Sequence, residues 1–163
     1  MRLLKIYLND HLATLTAGIE LTKRSGSSNR GTPLGKFLGE LQAEFETDRD
    51  ALLEVLRLLD LSSDPLKRTA GWLAEKAGRL KFNGRLVGYS DLSRLIELEG
   101  LAAIAMASAA LWRSLGNVAP ALPQLARFDF EAMAQRAERQ RARLEEFRST
   151  AAAVALAGSS PGD

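Results

Sequence analysis

The chain has 163 residues and a mass of 17.7 kDa, with 22 Lys and Arg against 20 Asp and Glu. Zero cysteine excludes disulfides, thiol nucleophiles and thiolate metal sites, and the lone histidine, His11, excludes any site that needs two. An apolar share of 46% and a charged share of 26% are those of an ordinary soluble globular domain, and a dispersed net charge of +2 argues against a nucleic-acid binder.

No uninterrupted apolar run is long enough to cross a bilayer, and the charged N-terminus lacks the apolar stretch of a signal peptide. The expectation is a cytoplasmic protein with no membrane role. Heavy use of Ala, Leu and Arg suits a GC-rich bacterial genome.

Helical periodicity runs through nearly the whole chain, and strand-like alternation is almost absent. The first predicted helix spans about Leu3 to Arg24, with Leu4, Leu8, Leu12, Leu15 and Ile19 as its stripe and Gly18 facing inward for close packing. Ser25 to Gly31 reads as a turn-forming linker. Thr32-Pro33 then opens the second helix as N-cap and first helical residue. Leu34, Leu38, Leu41, Phe45, Asp48, Leu52, Val55 and Leu59 alternate steps of four and three, a bundle seam with one acid inside it.

Asp64-Pro65 opens a predicted third helix that Asn83-Gly84 closes. Its Trp72 and Phe82 suit either core or a dimer interface, and the basic residues Lys76, Arg79, Lys81 and Arg85 near its end read as a solvated face. Ser90 caps a fourth helix from about Asp91 to Leu115. From Gly100 to Trp112 that helix carries no charge, which marks a central element. Asp129 caps the fifth, with Phe128 and Met133 as a hydrophobic staple and Met133, Ala137, Gln140, Leu144, Phe147, Ala151 and Val154 as its stripe. The expected product is an all-α, five-helix antiparallel bundle in one domain over residues 1–157, followed by a disordered tail at 158–163. A regular seam without a catalytic set points to a homodimer.

Asp48 is the most informative residue. A buried carboxylate costs several kcal/mol unless it is paired or metal-bound. Hairpin arithmetic puts His11 near Phe45, between Glu44 and Asp48. Glu99 shares a face with Leu92, Leu95, Ala102 and Met106 and is expected to point inward. Gln140 and Arg141 arrive at about the same height from the fifth helix. Two readings follow. In one, His11, Glu44, Asp48 and Glu99 ligate iron or manganese, because oxygen and imidazole donors suit such metals. In the other, no cofactor is bound, and His11 and Arg141 neutralise the carboxylates in a buried polar layer that fixes helix register.

Paired helical hairpins with inward carboxylates resemble the ferritin-like superfamily, in particular its small bacterial members that have lost regular metal ligands. That resemblance implies a degenerate site, since the metal-binding members carry Glu-x-x-His motifs. Here Thr47 follows Glu44, Ala102 follows Glu99 and Arg141 follows Glu138 at the histidine position. The stretches Tyr7-Leu-Asn-Asp-His-Leu12 and Ala74-Glu-Lys-Ala-Gly-Arg-Leu-Lys81 are similar to an uncharacterised actinobacterial family, which implies no activity. The function expected is a non-catalytic bundle with an interaction or scaffold role, the alternative being a divalent-metal protein.

Overall fold

The computed structural model describes residues 1–63 and 89–157. Among them the protein is all-α, with four long helices, two short 3₁₀ turns and no strand: α1 (Arg2–Ser28), α2 (Pro33–Leu58), α3 (Asp91–Val118) and α4 (Phe130–Ala157). The predicted third helix, with Trp72, Phe82 and the basic cluster, lies outside the described residues, as does the tail at 158–163.

Local chemistry starts α2, α3 and α4 as the sequence indicates. Thr32 Oγ1 accepts the Gly35 amide at 3.1 Å, Ser90 Oγ accepts the Ser93 amide at 3.1 Å, and Asp129 Oδ1 accepts the Ala132 amide at 2.9 Å. α1 departs from the expectation. Ser25 to Ser28 extend it by a full turn instead of forming a linker. Ser25 is buried, the hydroxyls of Ser27 and Ser28 fold back onto carbonyls four residues earlier, and Gly26 packs against Leu38. Tertiary packing there overrides weak helix propensity.

The turn into α2 is therefore short and tight. Gly31 takes a left-handed backbone, and a Cβ on Gly35 would sit 2.2 Å from the Asn29 carbonyl oxygen. Only glycine permits that approach.

The helices form two antiparallel hairpins, α1–α2 and α3–α4, packed side by side. Gly18 of α1 meets Phe45 of α2 and Ile104 of α3, and Gly100 of α3 meets Leu21. These glycines let α1 lie close to both neighbours. α2 and α4 are instead bridged by long side chains. The residue pairing makes every adjacent pair antiparallel, so α2 and α3 run in the same direction. Ser62, just past α2, accepts from Lys5 at the start of α1, whereas Tyr89, just before α3, lies against Asn29 at the far end of α1. The connection between α2 and α3 thus joins opposite ends of the bundle.

All eight residues of the predicted seam are buried, Asp48 and the C-cap Leu59 included. Each buried Leu, Val or Phe contributes about 1.5–3 kcal/mol relative to exposure, which selects this face over any other. The stretch Asp91–Ala121 is long and apolar enough to cross a membrane by length and composition, because its few charges sit near its ends. Its Leu95, Leu98, Leu101, Ala105, Leu111, Trp112 and Leu115 are buried in the bundle core.

Candidate functional site

α2 and α4 face each other through a ladder of polar side chains. Glu40, Glu44 and Asp48 stand four residues apart on α2, so they form one row. Arg143, Gln140 and Arg136 face them in the reverse order. Arg143 Nη2 donates to Glu40 at 3.1 Å, Gln140 Nε2 donates to Glu44 Oε2 at 2.8 Å, and Arg136 Nη2 donates to Asp48 Oδ1. Phe37 stacks on Phe147 with centroids 5.1 Å apart, and Arg143 lies over the Phe37 ring.

Burial deepens along this row from Glu40, which is exposed, to Asp48, which is fully buried. Burial holds the Asp48 carboxyl above its ordinary range, outweighing the opposing pull of Arg136 and Gln140. Among the described residues, buried polar atoms without a hydrogen-bond partner are Asp48 Oδ2, Arg136 Nε, Gln140 Oε1 and the Trp112 indole nitrogen.

A second polar cluster ties the C-terminal end of α1 to the N-terminal part of α3. Tyr89 Oη donates to Glu97 Oε2 at 3.0 Å and accepts from Asn29 Nδ2 at 2.8 Å. Arg24 reaches Glu97 Oε1 at 3.0–3.1 Å, and Arg94 Nε donates to Asn29 Oδ1 at 3.0 Å. Asn29 and Glu97 are buried. Burial pushes the Tyr89 hydroxyl above its ordinary value.

The structure brings together three of the residues expected in the central layer: Glu44, Asp48 and Gln140. It does not bring the other three. Arg141 is exposed and donates to Glu138 at 2.9 Å; Arg136 takes its place, five residues earlier and far round the helix. Glu99 has a side chain 53% exposed beside Arg148, and Glu97 is the acid that points inward.

His11 is half-buried and packs its ring edge-on to Tyr7, with centroids 4.5 Å apart. The pairing of Gly18 with Phe45 and Gly26 with Leu38 sets His11 level with Leu52, a turn beyond Asp48. The extra turn of α1 accounts for that shift. Burial lowers the His11 pKa. Consequently His11, Glu44, Asp48 and Glu99 do not converge, and among the described residues no three acidic or histidine side chains are placed to hold a metal ion.

Arg136 was legible as one residue of an alternating-charge face, with nothing local to separate it from Arg139 or Arg141. Glu97, flanked in sequence by Ile96 and Leu98, had nothing local to mark it as the inward acid in place of Glu99. What the central layer does chemically is hold a guanidinium against a buried carboxylate between α2 and α4. No family model, curated protein or solved structure matches the chain.

Proposed function

We propose that the chain is a non-catalytic helical-bundle protein with a scaffold or interaction role. In this reading residues 1–157 form a five-helix, ferritin-like antiparallel bundle in which an arginine serves the central carboxylates in place of a metal. The observation that carries it is the Arg136–Asp48 contact. A guanidinium and a divalent cation compete for the same carboxylate oxygen, and an arginine stays charged at any working pH. Two antiparallel hairpins joined by one connection between opposite ends also match the ferritin-like arrangement. His11 stands apart on α1 with Tyr7, so the layer has no histidine to act as base or ligand.

Elemental analysis tests the reading. Purified protein is incubated with Fe(II) or Mn(II) and desalted. The expected result is metal well below one equivalent in both the parent and Asp48→Ala. One equivalent in the parent that disappears in Asp48→Ala overturns the proposal.

A further inference from the structure

α3 carries two seams. One is the buried face already described. The other runs along the outside, where Glu99, Ala103, Met106, Ala110 and Arg113 step by four and three and are all exposed. Leu92, one heptad before Glu99, is exposed as well. The 13 residues from Gly100 to Trp112 carry no charge. An outward helix face is ordinarily polar; that of α4 carries Gln135, Arg139 and Glu146. Among the described residues the Met106 side of α3 is therefore an apolar strip with no helix packed on it, with small residues beside the methionine that allow close helix approach.

The charges at the two ends of the strip identify what covers it. Glu99 lies seven residues before Met106 and Arg113 seven after, so all three fall on one line of the helix. At the Glu99 end, Arg148 is shared between Glu99 at 3.8 Å and Glu145 at 2.6 Å, two acids on one arginine. At the Arg113 end, Glu138 is shared between Arg113 and Arg141, both at 2.9 Å, two arginines on one acid. One end carries surplus negative charge and the other surplus positive.

We propose that α3 of a second copy of this chain packs antiparallel on this strip, about a two-fold axis near Met106. Such an axis sets Glu99 of each copy level with Arg113 of the other. A parallel pairing would oppose like charges at both ends. A membrane-spanning role fits the strip poorly, because the opposite face of α3 is buried in the bundle and charged Glu99 and Arg113 bound the exposed apolar length at about 20 Å. The inference deepens the interaction reading by naming the partner. Its test reads mass instead of metal content, so the two proposals fail separately.

Sedimentation equilibrium of the full chain over a wide concentration range decides the matter. The parent is expected at twice 17.7 kDa. Met106→Asp is expected at the monomer mass with an unchanged far-ultraviolet dichroism spectrum. Glu99→Arg should weaken association at least about tenfold by setting like charges face to face, and the double reversal Glu99→Arg/Arg113→Glu should restore it. A parent monomeric at every concentration overturns the proposal, as does a dimer that survives Met106→Asp or a double reversal that stays weak. Flotation of a monomeric parent with phosphatidylcholine vesicles also overturns it, assigning the strip to lipid.

Discussion

Replacing Arg136 with Met tests the central layer most directly. Asp48 is fully buried between Phe45 and Leu52 in the α2 seam, Arg136 hydrogen-bonds its Oδ1, and Oδ2 has no partner. Removing the guanidinium strands a carboxylate in that row. Breaking one half of a buried pair costs about 3–5 kcal/mol, a large part of the roughly 5–15 kcal/mol that holds a domain folded.

The pH dependence adds a second constraint. The native Asp48 pKa is raised by burial, so the folded state binds this proton more tightly than the unfolded state. That stabilisation is fully present below the unfolded value of about 3.9 and is lost as pH rises through the native value. Arg136 opposes the rise, so Arg136→Met should push the carboxyl higher still. The penalty of the substitution is therefore greatest near neutrality and shrinks on acidification, as Asp48 takes up its proton. Asp48→Leu combined with Arg136→Met removes both charges and should return stability to within about 1 kcal/mol of the parent, or above it. Urea unfolding followed by circular dichroism at about pH 7 and about pH 4.5 reads all three quantities. An Arg136→Met penalty below about 1 kcal/mol at neutrality, or one that grows on acidification, refutes the assignment.

Other predictions concern the frame around this layer. Gly35→Ala should destabilise by at least about 2 kcal/mol, because its Cβ would meet the Asn29 carbonyl at 2.2 Å, whereas Gly39→Ala, with open space around it, should gain about 0.5–1 kcal/mol of helix propensity; urea midpoints compare the two. Tyr89→Phe should cost about 1–3 kcal/mol, since Asn29 and Glu97 both lose the hydroxyl that joins them. Thermal unfolding measures that loss, and a change under a few tenths of a kcal/mol would show the cluster to be incidental. His11 should titrate below its ordinary value of about 6.5 by NMR. Its native pKa is lowered, so its contribution is present above the unfolded value and is lost as pH falls through the native one. His11→Gln should flatten that part of the stability profile; an unchanged profile would place the acid sensitivity elsewhere.

The seam of α2, the caps at Thr32, Ser90 and Asp129, and the inward placement of Asp48 and Gly18 were all legible in the order of residues. Each follows from short-range chemistry, either a side chain within three or four positions of the amide it caps or one apolar period on one face. The partner of Asp48 was not legible, because it depends on how far α1 and α4 slide and turn against α2. Ser25 to Ser28 show how little is needed: one more turn of helix, stabilised by burial against α2, moves His11 a full level away from the carboxylates. On α3 the ambiguity is of another kind. Leu92, Glu99 and Met106 lie on one helical stripe, and Leu95, Leu98, Ala105 and Trp112 lie on another. A helix apolar on both sides offers periodicity no way to choose between them. Packing against α1 and α4 chose the second stripe, turned Glu97 inward, and left Glu99 and Met106 outside, because only one face of a helix can be covered by two neighbours.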